Sequence, residues 1–454
     1  MLHKLQLWPV CLLLPLLFSC QSDEPADEYL EGHLSFPDES AAGIKLAIYE
    51  FPDLPLQLDT LETAFSLNGK ENSVRKMYAL LTGDPIATTS SDADGHFNFD
   101  LPPETSGLLL IYDHIFVFKL LVLTDYTSPL ELELIPGIPL TSILETVPIL
   151  APGTPILLEG TVIVPVDREL VIPEGCLITS LSGFSLGVWG GLSMNGTADQ
   201  PLFMFPHPET TNNNGNWQIV PTESIYLNHL LYGGWSEGLF FQNSDAQLSD
   251  CCFLEIENSA CSFTGCIDTV RIEDCLFRSS QTAISLVNSD VAVSGSIIAS
   301  SYYGVEFTSA GGRVEGNLLL DNDEAIACIG GVPSAPLVVA NLFSSNRSDI
   351  ALKQNDTPTI TNNESRGVQL TFLHNRNNGL PLLQNNNIIA PESLLVFHSL
   401  PTNVVGRINA AGNFWGYSDS LQIEAHIVDS LDNPELLRVD ISGFFPVPLE
   451  LGFQ

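Results

Sequence analysis

The sequence has few basic residues, and this scarcity excludes several kinds of partner. Sixteen lysines and arginines stand against 54 aspartates and glutamates in 454 residues. Such a chain would repel nucleic acids and anionic lipid surfaces. It would also repel uronate polymers unless Ca²⁺ bridged the two sets of carboxylates. We therefore expect no nucleic-acid partner, and we interpret the acidic excess as a solvated surface suited to a saline medium.

Long apolar runs and metal-ligand spacings are also scarce. After residue 19, no segment is long and apolar enough to predict a transmembrane helix. No CxxC pair occurs with a histidine at the spacing that zinc requires, so we expect no metal cofactor, with Ca²⁺ as a weak alternative. Hydrophobic residues nevertheless make up 44% of the chain, which is too apolar for disorder, and the length allows two or three domains.

The first residues are typical of an export signal. Residues 1–19 combine Lys4, an apolar run and the small residue Ser19, a layout too short and too proline-broken to span a bilayer. The run ends in LFSC, with Cys20 as its last residue, and resembles the lipobox of bacterial lipoproteins. This resemblance implies that Cys20 carries a lipid anchor, which would be the chain's one membrane contact. An ordinary secreted protein with a chance cysteine is the alternative.

The residues after Cys20 indicate where the protein is displayed. Ser22-Asp23-Glu24 resembles the surface-export signal of lipoproteins in the Bacteroidota. The resemblance implies a bacterial protein on the outer membrane, facing the cell surface. Residues 1–19 would then be the signal peptide, and residues 20–28 an acidic tether.

Residues 29–136 predict a β-domain of short strands and turns. Phe97, Phe99 and Leu101 alternate with polar residues after an Asp94-Gly95 turn. The motif T-x-x-D-x-D-G-x-F-x-F resembles carboxypeptidase-regulatory-like domains, with an inserted segment around 52–78. It implies a transthyretin/Ig-like β-sandwich that acts as a spacer. Asp92 and Asp94 begin either a turn or a Ca²⁺ loop, and a turn is favoured because no further acidic ligand follows.

From about residue 226 the chain repeats with a period near 22 residues. Each unit holds three short strands, with apolar residues two positions apart and polar corners between the strands. A strand period of two excludes an α-solenoid, and the leucine and asparagine spacing of leucine-rich repeats is absent. A parallel β-helix with one coil per repeat satisfies the pattern. We expect it over residues 151–454, after a linker at 137–150.

Corner residues of successive repeats fall in one column. Coils of a β-helix stack about 4.8 Å apart, so that asparagine amides can donate hydrogen bonds along the stack. This resembles the asparagine ladder of pectate-lyase-like β-helices. The predicted column contains Cys251, Cys275, Ser296, Asn317, Asn341, Asn387 and Asn413, with Asn363 where the register is blurred.

Both ends of this region resemble bacterial right-handed β-helix repeat proteins of the pectate-lyase-like superfamily. Residues 158–205 contain LVIPEG and GLSMNGTADQPLFMF, which are similar to the family's opening coils. The NFWG sequence at Asn413 is similar to the start of its closing cap. The resemblance covers roughly 150–448 and implies an all-β protein, in which the sandwich precedes a capped right-handed parallel β-helix.

Seven cysteines remain besides Cys11 in the signal and Cys20, and because this number is odd at least one must stay free of a disulfide. Cys261 and Cys328 share columns with apolar core residues and behave as small hydrophobes. Cys251 and Cys275 are stacked neighbours, for which close packing is favoured over a disulfide.

The face that usually carries activity on this fold has few chemical groups. Its outward row is predicted to be Phe240, Ser262, Ser285, Glu306, Ala327 and Ala351. A single carboxylate does not supply general acid/base catalysis.

The corner next to this face contains more charged and aromatic side chains. Tyr302, Asp323 and Arg347 share one column, flanked by Tyr303, Asp321 and Glu324. Rings beside acids and an arginine suit sugar binding, and the alternative is an ordinary polar corner with a cross-coil ion pair.

These observations favour a non-enzymatic surface lipoprotein that displays a β-helix for binding a polysaccharide or a surface protein. A polysaccharide lyase or glycoside hydrolase of the pectate-lyase-like superfamily is one alternative. A structural or adhesive rod is another, because a fold alone does not determine a reaction.

Overall fold

The structure is a computed structural model that describes residues 29–451 except 38–39, 54–66, 68, 102–105, 124–128, 211, 222–223, 268–269, 331, 355, 377–378, 390–393 and 399–405. The predicted signal peptide, the tether and Cys20 lie outside the described residues. Within the described ranges, no helix combines the length and hydropathy needed to cross a membrane.

The described residues of the N-terminal region form two small sheets and one helix. Its elements are β1 (Leu30–Ser35), β2 (Lys45–Tyr49), α1 (Glu71–Thr82), β3 (Pro85–Ser90), β4 (His96–Phe99), β5 (Gly107–Tyr112), β6 (Val117–Leu123) and β7 (Leu130–Glu133). The sheets have the strand orders β4-β1-β7 and β3-β2-β5-β6. Phe97 and Phe99 of β4 are buried as their alternation predicts, and they share one apolar core with Leu46 and Leu109 of the other sheet.

The turn before β4 accounts for Asp92. Its Oδ1 accepts hydrogen bonds from the backbone N–H groups of Asp94 and His96, each at 2.9 Å. These bonds hold the pKa of Asp92 below its usual value, chiefly through the His96 N–H. The geometry is that of an Asx turn that leads into a hairpin strand.

The rest of the chain is a parallel β-helix of right-handed type with about 11 turns. Its first strands are β8 (Ile138–Ile143), β9 (Pro155–Val164), β10 (Glu169–Pro173), β11 (Leu177–Thr179), β12 (Phe184–Val188), β13 (Gly191–Asn195), β14 (Leu202–Met204), β15 (Gly215–Ile219), β16 (Ile225–Asn228), β17 (Leu230–Gly233), β18 (Leu239–Gln242), β19 (Ala246–Ser249) and β20 (Cys252–Thr264). β8 lies in the segment predicted as a linker, and it already pairs with β9 in parallel.

The later coils follow the same order. They contain β21 (Val270–Glu273), β22 (Leu276–Val287), β23 (Asp290–Ser294), β24 (Ile297–Ala299), β25 (Tyr303–Thr308), β26 (Gly311–Glu315), β27 (Leu318–Leu320), β28 (Glu324–Ile329), β29 (Leu337–Val339), β30 (Leu342–Ser344), β31 (Ser348–Leu352), β32 (Thr359–Thr361), β33 (Glu364–Arg366), β34 (Thr371–Asn375), β35 (Leu382–Gln384), β36 (Asn387–Ile389), β37 (Leu394–His398), β38 (Arg407–Asn409), α2 (Ser420–Glu424), β39 (Ile427–Val428) and β40 (Arg438–Asp440).

Each regular coil contributes one stretch to each of three parallel sheets. The first sheet has 12 strands and runs from β10 to β40. The second contains β14, β24, β27, β30 and the first halves of β20 and β22. The third contains β25, β28, β31, β34 and the second halves of β20 and β22. Like residues therefore lie in vertical files, as the 22-residue period predicts.

The files fill the interior of the β-helix with apolar side chains. Phe241 stacks on Phe263 with ring centroids 4.7 Å apart, and Phe253 stacks on Phe277 at 4.9 Å. These separations match the spacing between adjacent strands, so the repeat itself brings the rings into contact.

An asparagine column runs along the corner between the first and second sheets. Asn317 Nδ2 donates to Asn341 Oδ1 at 3.1 Å, and Asn341 Nδ2 donates to Asn363 Oδ1 at 3.0 Å. Each amide also donates to a backbone carbonyl, such as Val293 O for Asn317. The buried polar groups of the corner are thereby satisfied. Cys251, Cys275 and Ser296 occupy the equivalent corners of the preceding coils.

The prediction that Asn387 belongs to this column is wrong by one residue. Asn386 accepts from Asn363 Nδ2 at 3.0 Å and donates to Asn413 Oδ1 at 2.8 Å. Asn387 instead begins β36 and donates to Glu364 and to Leu449 O. In the run of three asparagines, Asn385 takes the left-handed turn conformation with φ 56°, and this sets the register.

A second polar column lies at the corner between the second and third sheets. Asn322 Oδ1 accepts from the N–H of Ser301 at 3.1 Å, and Asn322 Nδ2 donates to Asn346 Oδ1 at 3.1 Å. Asn346 in turn donates to the buried carboxyl of Asp349 at 3.0 Å. This column positions the corner on which Tyr302, Asp323 and Arg347 lie.

The cysteines of the β-helix are free and buried. The disulfide alternative for Cys251 and Cys275 is therefore not found, and the two thiols pack in the corner column. Burial raises the pKa of Cys252 to about 12, which leaves it almost wholly in the unreactive thiol form at neutral pH.

Helix α1 joins the N-terminal region to the second sheet of the β-helix. Val74, Met77 and Tyr78 recur at helical spacing and are buried in an apolar cluster with Leu231 and Leu254. The helix lies in the segment that the sequence marks only as an insertion. It covers outward leucines of the second sheet that would otherwise face water.

The C-terminal end is closed by the short helix α2 and by Trp415, which is fully buried. Asp429 is 2% exposed, accepts the N–H of Val439 at 2.8 Å and pairs with Arg438 at 3.2 Å. These contacts cover the last coil in the part of the chain predicted to form the cap.

Candidate functional site

A polar site lies at the start of the third sheet, beside the second polar column. The ladder places Tyr303 next to Glu324 and Glu324 next to Ser348 on adjacent strands. The side chains of Lys353 and Arg376 reach the same place from the far ends of β31 and β34. Four successive coils therefore contribute to one site.

Glu324 is the centre of this site. Its side chain is 4% exposed and pairs with Lys353 at 2.9 Å and with Arg376 at 2.7 Å. Lys353 also donates to the hydroxyl of Tyr303 at 2.7 Å, and its ammonium lies 4.4 Å from the centroid of that ring. Burial lowers the pKa of Lys353, but the bonds to Tyr303 and Glu324 outweigh this effect and the pKa is raised. Lys353 is therefore charged at neutral pH.

Glu306 adds a second carboxyl from the coil before. Burial raises its pKa, and the charge of Glu324 adds to that effect. Hydrogen bonds from the hydroxyls of Thr308 and Thr282, each at 3.4 Å, and the charge of Lys353 act in the opposite direction. The two glutamates thus lie in different surroundings, one among hydroxyls and the other between two cations.

His374 lies on β34, beside Arg376. Burial, with the charges of Arg376, Lys353 and Arg347, lowers the pKa of His374 to about 4. The ring is neutral at physiological pH and can accept or donate a hydrogen bond.

Two tyrosines form the outer edge of the site. The rings of Tyr302 and Tyr303 meet edge to face with centroids 4.6 Å apart. Tyr302 is 48% exposed, so that one side of its ring faces solvent. The pKa of Tyr302 is raised, first by the charge of Tyr303 and then by burial.

The corner column itself holds an ion pair between coils. Arg347 donates to both carboxylate oxygens of Asp323, at 3.1 and 3.2 Å, and its side chain is 56% exposed. Asp321 lies two residues earlier with φ 52°, in the same turn conformation as Ser300 and Ser345. Asp321 is therefore a turn residue, whereas the other predicted residues surround the site.

The predicted outward row does lie in one register, from Phe240 through Ser262, Ser285 and Glu306 to Ala327 and Ala351. The predicted row stops one strand short of His374, which pairs with Ala351 in the same register, and it does not include Lys353 or Arg376. Lys353 and Arg376 follow their strands, and the long side chains bring their charges back to Glu324. The signal that would have found them is a cation after each of two adjacent strands.

A cavity of 530 Å³ opens farther along the same sheet, toward the N-terminal coils. Asn216, Glu237, Phe240 and Ser262 line it, and Asn258 donates to Glu237 at 2.7 Å. Ser262 and Ser285 occupy the outward row between this cavity and Glu306. Both serines have small side chains and are half-buried.

The site contains groups for binding and for proton transfer, but no metal-binding cluster. Among the residues that the structure describes, no group of three or more His, Cys, Asp or Glu could hold a metal ion.

Comparison with known proteins bears on the β-helix alone. A family model described as "Right handed beta helix region" matches residues 264–405, which include all the residues of the site. No curated protein matches the chain. No solved structure matches it either.

Proposed function

We propose that the chain is a lipid-anchored protein of the bacterial cell surface whose β-helix binds a glycan at the site around Glu324. The observation that carries this proposal is the exposed ring of Tyr302 beside a buried carboxylate held by two cations. Sugar rings stack their apolar faces on aromatic side chains, while their hydroxyls bond to charged groups. Both kinds of group are present here within four coils.

The arrangement also indicates how a glycan would lie. Tyr302 supplies a stacking surface at the corner, and a glycan would pass over the half-buried Ser262 and Ser285 of the third sheet. The cavity at Phe240 provides a second aromatic contact on the same sheet. A linear chain of sugars would therefore run along the stack of coils.

The anchor and the N-terminal region complete the proposal. Cys20 would hold the lipid, and the two-sheet region would be a carboxypeptidase-regulatory-like module that connects the tether to the β-helix. Replacement of Cys20 by serine is expected to release the protein from the membrane fraction and to abolish labelling by a fatty acid. Retention of the label in this variant would contradict the anchor.

A polysaccharide lyase or hydrolase is the second candidate, and the paired glutamates favour it. Glycoside hydrolysis uses two carboxyl groups, one of which keeps its proton because its pKa is raised. Glu306 has a raised pKa, and Glu324 lies between Lys353 and Arg376. The two glutamates thus differ in their surroundings, as a general acid and its carboxylate partner must.

Incubation of the purified protein with a glycan panel separates these candidates. Binding without new reducing ends or unsaturated uronate absorbance is the expected result. The matched variants are Glu324→Gln, which removes the central charge, and Glu273→Gln on the first sheet, which leaves the site intact. Turnover that is lost in Glu306→Gln would establish the enzyme instead. Failure on all glycans would leave a structural or adhesive rod.

A further inference from the structure

A cleft lies between the N-terminal region and the opening coils. Its lining residues are distant in sequence from those of the proposed glycan site. It has a volume of 390 Å³, within the ~300–1,000 Å³ typical of small-molecule sites. Strand β6, helix α1 and the coils around Leu177 and Phe203 form its walls. Two different parts of the chain must therefore come together to make it.

The floor of the cleft is apolar. Phe118, Leu121, Leu177 and Phe203 line it, and Leu177 and Phe203 belong to the cluster that joins the two parts of the molecule. An apolar body placed here would be removed from water on several sides, and this burial would stabilise it by about 25 cal/mol per Å² of apolar surface.

Two of the six lysines in this acidic chain line the same cleft. Lys119 donates to the backbone oxygen of Glu133 at 3.4 Å. Lys76 is half-buried on α1, and among the described residues it has no hydrogen bond or ion pair. Burial lowers the pKa of Lys76, which means that its charge is incompletely solvated there.

The acidic residues at the cleft differ from Lys76 in their exposure to solvent. Glu133 and Asp199 also line it, but both are exposed, so water screens their charges. Among the residues that the structure describes, the half-buried ammonium of Lys76 has no counter-charge, and a bound anion would supply one.

We propose that this cleft binds a small amphiphilic anion, in which a carboxylate pairs with Lys76 and an unbranched apolar body covers Leu177 and Phe203. This cleft shares no lining residue with the proposed glycan site around Glu324. Charge alone does not define the ligand, because an anion without an apolar tail would leave the apolar floor of the cleft uncovered. A tail alone does not define it either, because the lysine would stay unpaired.

Titration calorimetry of the whole protein with submicellar decanoate tests this proposal. Decanoate is expected to bind, whereas decanol and decyltrimethylammonium should bind at least tenfold more weakly. Lys76→Gln should weaken decanoate binding at least tenfold and reduce the preference for decanoate over decanol. Leu121→Asp, which places a carboxylate in the cleft, should also weaken decanoate binding. Arg168→Gln removes an exposed charge elsewhere and should leave binding unchanged.

Bound decanoate should also protect Lys76 from reductive methylation, as read by mass spectrometry, while Lys45 stays reactive. Equal decanoate affinity in Lys76→Gln and in the parent protein would overturn the proposal. Binding to phosphatidylglycerol vesicles without binding of monomeric decanoate would also overturn it, since the source would then be a membrane surface.

Discussion

Glu324 shows what a buried carboxylate requires on a β-helix surface. Its side chain is 4% exposed, so its desolvation costs several kcal/mol, and removal of both cations would leave an uncompensated charge. Lys353 and Arg376 come from two later coils, so the charge is balanced only when those coils are stacked in register. The site is therefore assembled by the fold and has no equivalent in any single repeat.

Asp349 is a different case, because it is buried without a cation. Ser365 and the amide of Asn346 bond to it, yet burial raises its pKa from 3.8 to about 7. The folded protein keeps this proton to a higher pH than the unfolded chain does. The free energy of unfolding should therefore fall as the pH rises from about 4 to 7, and this loss should be complete above pH 7.

Replacement of Asp349 by asparagine should remove that dependence. One pKa unit corresponds to about 1.4 kcal/mol, so the variant should be more stable at pH 8 by up to ~4 kcal/mol, with little difference at pH 4. Urea unfolding at the two pH values measures this. Asp290→Asn, at an exposed strand residue, is the control and should leave the slope unchanged. A variant less stable than the parent at pH 8 would contradict the assignment.

At the scale of the element, the corner columns determine how successive coils stack. An amide in the column donates to the next side chain and to a backbone carbonyl, as Asn341 does at 3.0 and 2.8 Å. A residue with positive φ comes directly before several of these rungs, as Asn362 and Asn385 do. The left-handed residue turns the chain, and the asparagine then satisfies the groups that the turn exposes to the interior.

Asn341→Ala should therefore destabilise the β-helix. It leaves the Val314 carbonyl without this amide donor and the backbone N–H of Asn317 without its side-chain acceptor, both in a buried place, and each such loss costs about 1–3 kcal/mol. Chemical unfolding followed by tryptophan fluorescence measures the change. Asn409→Ala, at an exposed position of β38, should cost less than 0.5 kcal/mol. Equal effects of the two changes would contradict the role of the column.

The repeat, the parallel coils and most of the first column are predictable from the sequence. Few other folds combine apolar residues two positions apart with a repeat of about 22 residues. Sequence reasoning misplaced one rung because three consecutive asparagines fit the column equally well, and only the backbone turn at Asn385 decides between them. It also missed Lys353 and Arg376, because a sequence column records where a Cα lies and not how far a long side chain reaches. Helix α1 was missed because its apolar partner, Leu254, lies in a distant coil.

At the scale of the whole molecule, the N-terminal region is fixed to the β-helix by apolar and charged contacts. Lys70 is 8% exposed, pairs with Asp250 at 3.0 Å and donates to Asp274 O at 2.7 Å. The hydroxyl of Tyr78 donates to Glu255 at 2.9 Å. These contacts indicate that the region is not a freely moving spacer.

Lys70→Met should weaken this attachment. The change keeps the apolar stem but leaves Asp250, whose side chain is 29% exposed, without its cation, so the cost should lie between the ~1 kcal/mol of a surface pair and the ~3–5 kcal/mol of a buried one. Limited proteolysis is expected to cut between the two parts of the variant sooner than in the parent. Lys45→Met, at a more exposed ion pair with Glu209, should have a smaller effect. Parent-like resistance of the Lys70 variant would show that the apolar contacts suffice.

The stacked coils are proposed to build a glycan site with Tyr302 as its aromatic surface. The most direct test is titration calorimetry with a linear oligosaccharide selected from the panel, comparing Tyr302→Ala with Tyr226→Ala. Tyr302 and Tyr226 are 48% and 50% exposed, but Tyr226 lies on the first sheet, away from Glu324. We expect at least a tenfold loss of affinity for Tyr302→Ala and none for Tyr226→Ala. Equal affinities of the two variants would contradict it.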